Sequence, residues 1–523
     1  MSGVNQDEEV GFLPREKPKI ESDVFRLLTK EEIIRINQKE PKWRKIRIFL
    51  LVLFVLIWLG LLLAAIGIVI VTPKCPVKPK LEFYQRKTGY SLDVMGFRDS
   101  NMDNVGDFNG VVEKIDYLKN IGAGYVIIDP INKGALSKTS SIEDFEMIEP
   151  VLGNDDDFKK FSRDLRKKGF ELVISMNFNL NLNPNHNETF DKIHNVTEKW
   201  LTLGASGIIL KEFSVYGDAE KNLEILRKFR EIIDKINYNH GFTKFLFLEC
   251  SESDQNIANY VSQGKADMIL TQEQDQLYDF NMKFGSNDSV VKFFTMTPNP
   301  SSSHELFLNN LALSFLLHGS PIIRYSTELQ NIIPDKKFES TTMYPFNNHG
   351  ASSNFKNILL HMPMPWTNDG SHLSGEIRSS FNDYINAYGI KNSVMDAESL
   401  GRNIPAFELV KKLTKIRQLP ACSFGTINEI VKLSSPDSKV FSFVRKAGTG
   451  HHDLVIAVLY KFNQVNIPIG SHCSSGNYTS LIVYPENPQI PEGHSFDSPN
   501  VYLTTSENNP DGIYVFKCDT PSL

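Results

Sequence analysis

From residue 48 to residue 71 the chain reads IFLLVLFVLIWLGLLLAAIGIVIV, with no charged position and no polar face. At the helical rise this run is about 36 Å long, enough to cross a hydrocarbon core of about 30 Å. The pattern predicts a membrane helix. It begins too far from Met1, and is too long, for a cleaved leader, so it reads as an uncleaved signal anchor. Residues 1–28 are polar, carry Pro14 and Pro18 and show no period, which predicts disorder. Thr29-Lys30-Glu31-Glu32 fits a capping box, and Ile33, Ile34 and Ile36 follow it. A short amphipathic helix against the inner leaflet, ended by Pro41, is expected there.

Past residue 90 the pattern changes to apolar runs alternating with helix-period segments. YVIID precedes DDDFKKFSRDLRKKG, whose Phe158, Phe161 and Leu165 share one face; FELVISM, GIIL, FLFLEC, DMILT and SPIIRY are further apolar runs with helical segments between them. Continuous apolar strands separated by amphipathic helices predict a parallel sheet covered on both faces. About eight such units fit before residue 415, which favours a closed (β/α)8 barrel over an open sheet. After Pro420 the runs KVFSFVRK, DLVIAVLYKF, SLIVYP and GIYVFKC are short, β-rich and set between Gly, Pro and Asn clusters, so a small antiparallel domain follows. The expected fold class is α/β, a single transmembrane helix followed by a TIM barrel and a C-terminal antiparallel β domain. The expected divisions are a cytosolic tail at 1–45, the anchor at 46–72, a stalk at 73–87, the barrel at 88–418 and a β-sandwich domain at 419–523.

Composition narrows the function. The 523 residues carry 56 Lys and Arg against 62 Asp and Glu, a net charge of −6. That leaves no basic field for nucleic acid. Lys39, Lys42, Arg44, Lys45 and Arg47 crowd the N-terminal flank of the apolar run, against Lys74, Lys78 and Lys80 beyond it, a bias toward a cytosolic N-terminus. Four N-x-S/T sequons, at Asn187, Asn195, Asn287 and Asn477, all lie beyond the run, as an exported C-terminal part would require. A single-pass type II protein with an extracellular ectodomain is the expectation. Gly60, Ala64 and Gly67 form a small-residue stripe that would let another membrane helix approach.

The five cysteines are an odd number, so in an oxidising compartment at least one lacks an internal partner. Cys75 lies in the proline-bearing stretch TPKCPVKPK just outside the membrane and is the candidate for an intermolecular disulfide to another membrane protein. Cys473 and Cys518 fall within the β domain and can pair. Cys250 and Cys422 read as buried thiols. No His/Cys/Asp cluster has metal-ligand spacing and no Gly-rich loop is built for phosphate, so neither a metal nor a cofactor is expected.

The segments VEKIDYLKNIGAGYVIIDPIN, GNDDDFKKFSRDLRKKGFELVIS, GASGIILKEF and GSPIIRYSTEL, followed by Pro363-Met364-x-Trp366, resemble in order the landmarks of the α-amylase and α-glucosidase family over residues 88 to 420. Active members are retaining enzymes, in which one carboxylate attacks the anomeric carbon and a second carboxyl protonates the leaving oxygen. The family segment Gly-x-Asp-Gly-x-Arg-x-Asp ends in the nucleophile. Laid on Gly204 to Lys211, it leaves Ser206 at the first Asp, Ile209 at the Arg and Lys211 at the nucleophile. An ammonium there would face an oxocarbenium-like transition state with like charge. Glu212 is one residue out of register, which turns its side chain to the opposite face. ISMNFNLN and FFTMTPNPSS lack the family's other Asp and His positions, while Glu249 or Glu252 corresponds to the general acid. The resemblance therefore implies no catalytic residues, with Lys211-Glu212 a structural salt-bridging pair at a strand end.

A type II anchor, a stalk cysteine and an amylase-like ectodomain without a nucleophile together resemble the heavy-chain subunits of heteromeric amino acid transporters. LTKEEIIRINQKEPKWRKIR before the apolar run and PKC after it strengthen the likeness. Only one helix fits between residue 181 and GASGIIL, which resembles the 4F2 type of that family. The resemblance implies a non-catalytic subunit joined through Cys75 to a polytopic light chain, which it brings to the plasma membrane, with membrane lipid around its single helix. Two other readings are a membrane-anchored α-glucosidase with a displaced nucleophile and an adhesion or receptor ectodomain with its own adhesion partner.

Overall fold

The computed structural model describes residues 28–39, 41–71, 79–103, 105–135, 142–176, 187–211, 213, 219–240, 243–249, 259–260, 263, 266–270, 304–330, 364–370, 392–400, 402–434, 439–448, 450–461, 464–473, 476–504 and 511–519. The chain divides into two units, Met1–Cys75 and Pro76–Leu523. In the first, the helix Lys30–Lys39 begins where Thr29 N–H donates to Glu32 Oε2 at 3.0 Å, one half of the expected reciprocal cap. A second helix, Pro41–Val71, is apolar and long enough from Lys42 onward to cross a membrane. Its first turns are thus continuous with the basic flank that precedes the apolar run. A Cβ added at Gly60 or Gly67 would meet nothing within 4 Å inside this unit.

The second unit opens with a short helix, Phe83–Arg86, capped by Glu82 N–H donating to Gln85 Oε1 at 2.8 Å. The strands that follow are β1 (Thr88–Leu92), β2 (Ala123–Ile128), β3 (Asn132–Lys133), β4 (Asp144–Ile148), β5 (Glu171–Met176), β6 (Gly207–Leu210), β7 (Phe245–Glu249), β8 (Met268–Leu270) and β9 (Ile322–Arg324). β3 and β4 form a separate two-stranded ladder. The other seven pair in parallel in the order β8-β7-β6-β5-β2-β1-β9. This is the cyclic order of a (β/α)8 barrel, with the last strand returning beside the first. The two ends of the ordering flank the interval in which FFTMTP lies, outside the described residues.

Alternation along the strands separates two apolar sets. Val126 and Ile128 of β2, Ile208 and Leu210 of β6, and Leu246 and Leu248 of β7 join the large cluster that includes the surrounding helices. Tyr125, Ile127, Ile209, Phe245, Phe247 and Ile322 form an inner cluster instead. Phe83 and Tyr84 belong to the inner set, with ring centroids 5.2 Å (Phe83–Tyr125) and 4.9 Å (Tyr84–Phe245) apart in edge-on contacts. The short helix therefore plugs the end of the barrel at which the strands begin.

The C-terminal domain follows the helix Pro420–Phe424. Its strands are β10 (Thr426–Ser434), β11 (Lys439–Lys446), β12 (Leu454–Tyr460), β13 (Gln464–Ile467), β14 (Asn477–Tyr484), β15 (Ser495–Asp497), β16 (Val501–Thr504) and β17 (Gly512–Cys518). An antiparallel sheet runs β10-β11-β12-β17-β14-β15, and β13 pairs with β16 in a second sheet. Every residue of β12 is buried. Leu454, Ile456 and Val458 face the barrel's cluster, while Val455, Ala457 and Leu459 pack with β13 and β16. Cys473 and Cys518 form a disulfide with Cα atoms 5.1 Å apart, and Cys422 is a buried free thiol that burial pushes up. Cys250 lies outside the described residues.

Two buried arginines hold the domain junction. Arg445, on β11, donates from Nε to Ala421 O at 2.8 Å, from Nη1 to Leu316 O at 2.9 Å, and from Nη2 to Cys422 O at 2.8 Å and Gly425 O at 3.1 Å. Arg417 ends the helix Pro405–Arg417 and donates to the carbonyls of Cys422, Gly319, Leu317 and Gln85. Burial, and then the neighbouring Arg445, push Arg417 down to about 10. Several acceptors are carbonyls at or just past helix ends, which a helix leaves without internal donors.

A buried carboxyl ties the start of the barrel to its end. Glu328 accepts at Oε1 from Tyr90 Oη at 2.6 Å and from Tyr117 Oη at 2.5 Å. Burial outweighs both hydrogen bonds and raises the carboxyl to about 7. A raised acid favours the protonated native state. Its contribution is therefore complete below the ordinary carboxyl value and falls as pH climbs toward about 7, by roughly 3 kcal/mol in all. Glu328→Gln should flatten this part of the profile. Denaturation midpoints of both proteins at pH 5 and pH 8 test it: the wild type should lose ground relative to the variant at the higher pH.

Candidate functional site

Among the charges at the ends of the described barrel strands, which include Asp93 after β1 and Glu249 at the end of β7, three converge. Asp129 directly follows β2, Lys211 directly follows β6, and Arg324 is the last residue of β9. Backbone pairing continues one step past the strands and fixes their height. Asp129 N–H donates to Leu92 O at 2.9 Å, Lys211 N–H to Met176 O at 2.8 Å, and Tyr325 N–H to Ser91 O at 2.9 Å. Each charge lies two residues beyond a member of the inner cluster, namely Ile127, Ile209 and Ile322. The two-residue period of a strand therefore turns all three side chains into the barrel mouth.

There they meet. Lys211 Nζ stands 2.5 Å from Asp129 Oδ1, and Arg324 Nη1 stands 2.6 Å from Asp129 Oδ2. Arg324 Nη1 also donates to Ser91 Oγ at 3.3 Å, and its guanidinium lies 4.9 Å from the Tyr325 ring centroid. The Asp129 side chain is 5% exposed, against 18% for Lys211 and 15% for Arg324. Burial would push the Asp129 carboxyl up, but Arg324 and Lys211 outweigh it and hold the group below its usual value. Burial likewise opposes the Arg324 charge, and Asp129 overcomes it, so that guanidinium is held more firmly protonated than usual.

Such a carboxylate is a weak base and a poor proton donor, and each of its oxygens is occupied by a cation. Asp129 in this state fits neither role in a retaining pair, which needs two carboxyl groups about 5–5.5 Å apart with one kept protonated. Glu249 ends β7, next to β6, two residues past Phe247 and so on the same inward parity. Glu212 and Glu252 lie outside the described residues. Ser206 sits just before β6, where its Oγ donates to Glu171 Oε2 at 2.5 Å, at the opposite end of the strands from the charges.

Lys211 thus pairs with Asp129, a partner not foreseen, and the expected Lys211-Glu212 pair rests on Glu212, which lies outside the described residues. Asp129 and Arg324 escaped the sequence reading, although YVIID and PIIR carry the same signal as GIILK: an apolar run stopped by its first charge. Of the sequon residues, Asn195 is exposed on the helix Asn187–Leu203, Asn187 begins that helix, and Asn477 is exposed at the start of β14. Asn287 and Cys75 lie outside the described residues.

Comparison with known proteins agrees with this architecture. Residues 15–90 match the family described as the N-terminus of solute carrier family 3 member 2, and residues 94–202 match the α-amylase catalytic domain. The amino acid transporter heavy chain SLC3A2 of Rattus norvegicus is 22% identical over 414 residues, covering 74% of this chain and 75% of that protein. Maltase A1 of Drosophila melanogaster is 31% identical over 166 residues, 31% of this chain and 25% of that one. In structure, the trehalose-6-phosphate hydrolase of Bacillus licheniformis is similar with a TM-score of 0.61 at 12% identity, over 84% of this chain and all of that one. The chain thus resembles the amino acid transporter heavy chains, with an SLC3A2-type N-terminal segment leading into an α-amylase-like fold.

Proposed function

We propose that this chain is the non-catalytic heavy subunit of a heteromeric amino acid transporter, joined by a Cys75 disulfide to a polytopic light chain that it brings to the plasma membrane. The observation that carries the reading is the ion-paired mouth of the barrel. Where a glycosidase of this fold would need an attacking carboxylate, Lys211 is held by Asp129, itself claimed by Arg324. The apolar helix from Lys42 to Val71 supports a membrane anchor. One such helix offers no polar path for a solute, so transport requires a partner that does. A covalent tether would keep the two at high effective concentration. The exposed Asn195 and Asn477 suit glycosylation of an extracellular domain with a cytosolic N-terminus.

Gels of the native membrane protein run with and without reductant test the proposal. A disulfide-linked heterodimer should collapse to its subunits on reduction, and Cys75→Ser should abolish the linked species completely while leaving the ectodomain folded. A single band unaffected by reductant would overturn the covalent partnership. Turnover of an α-glucoside by the purified ectodomain would overturn the non-catalytic part.

A further inference from the structure

Lys42, Arg44, Lys45 and Arg47 occupy four of the six positions from 42 to 47, and all four are exposed. They belong to the same continuous helix as the apolar run, so their height relative to it is set by the helix itself. Six residues rise about 9 Å, which is comparable with the interfacial layer on one side of a bilayer. Trp43 and Ile46 are interleaved with the cations one turn apart, and are 52% and 43% exposed. The preceding helix, Lys30–Lys39, adds Ile33 and Ile34, 41% and 49% exposed, and ends in Lys39. Against these cations stand Glu31, Glu32 and Glu40, and Glu32 is engaged at the helix cap.

We propose that residues 42–47 form a binding site for anionic phospholipid headgroups, specifically phosphatidylserine. Lys42 and Lys45 offer ammonium donors to its phosphate and carboxylate, and Arg44 and Arg47 offer guanidinium forks that match a phosphate bidentately. Trp43 and Ile46 enter the headgroup boundary between them. An orienting flank needs only an excess of cations on one side. Four cations held at headgroup depth, with apolar side chains between them, also fit a leaflet whose lipids carry negative charge. An acidic protein surface would meet the same cations but gives no role to the apolar pair. Assignment of the site to the cytosolic leaflet rests on the type II orientation proposed above; the lipid preference does not.

The test uses the full-length chain in nanodiscs of phosphatidylcholine containing a minor share of phosphatidylserine, followed by mild extraction and mass analysis of the retained lipid. Because such discs have two equivalent leaflets, orientation does not enter. The wild type should retain phosphatidylserine about five-fold or more above its share in the disc. K42Q/R44Q/K45Q/R47Q should retain it at that share, whereas R44K/R47K, which keeps every charge, should preserve most of the enrichment. Enrichment should also disappear in about 1 M salt, where screening acts within about 3 Å. A wild type without enrichment, or a quadruple variant that enriches as strongly, would overturn the proposal, as would loss of enrichment in R44K/R47K. Glycosylation of the sequons in cells reads orientation separately. An unglycosylated, inverted chain would remove the heavy-subunit reading and leave the disc result standing.

Discussion

Asp129→Ala will lower the stability of the barrel by about 3–5 kcal/mol. The carboxylate is nearly inaccessible and is the shared counter-ion of Lys211 and Arg324. Its removal leaves two cations facing each other in a mouth where burial already disfavours charge. Lys211→Met should cost far less, about 1 kcal/mol, because it leaves Asp129 and Arg324 as a complete pair. Asp129→Asn keeps the shape without the charge and should fall between them. Denaturant midpoints of the three variants at neutral pH check this order. Equal losses for Asp129→Ala and Lys211→Met would mean that the Lys211 pair, rather than the shared anion, dominates. The pH dependence has a definite sign: an acid held below its usual value stabilises above that value and loses its contribution as pH falls through the native one. Acid unfolding should therefore begin at a lower pH in the wild type than in a variant without Arg324, such as Arg324→Met.

Arg445→Met should be comparably severe, by roughly 3 kcal/mol or more. Two effects oppose each other. Burying a guanidinium without a carboxylate is costly, and a methionine of similar length relieves that cost. The loss of donors works the other way, since Leu316 O, Ala421 O and Gly425 O are served by Arg445 while Cys422 O is shared with Arg417. Each buried carbonyl left without a donor costs about 1–3 kcal/mol, so the orphaned acceptors outweigh the relief. Arg445→Lys should recover little, because one ammonium cannot span four acceptors on two elements. Limited proteolysis gives a local readout: cleavage near residues 420–425 should rise in Arg445→Met before the rest of the second unit becomes sensitive. Wild-type resistance there, together with an unchanged midpoint, would show that water or repacking satisfies the freed carbonyls.

The parts of this fold that depend on local pattern could be read from the chain. The apolar run at 48–71, the alternation of apolar strands with helices, and the β-rich segments after Pro420 each express a period that one element imposes on its own residues. The short edge strands β13, β15 and β16 were not legible, because QVNI, SFD and VYLT are too brief to show a period and exist through pairing with distant partners. The site followed the same division. Lys211 stood out because it ends an apolar run at a position the α-amylase resemblance makes chemical. Asp129 lies 82 residues away in sequence and Arg324 farther still. Their convergence is a property of long-range strand pairing, which no window along the chain contains. The arginines at 417 and 445 were equally silent, since nothing in RQLP or FVRK distinguishes a buried guanidinium from a solvated one.

The plug made by Phe83 and Tyr84 has a mechanical corollary. The described chain of the second unit enters the barrel at these rings, which are wedged among Tyr125, Phe245 and Phe247, and Arg417 donates to the Gln85 carbonyl alongside. Tension applied from the N-terminal side of Phe83 would thus be delivered to the floor of the barrel, where several interlocked aromatics must shear together, instead of peeling a peripheral strand one hydrogen bond at a time.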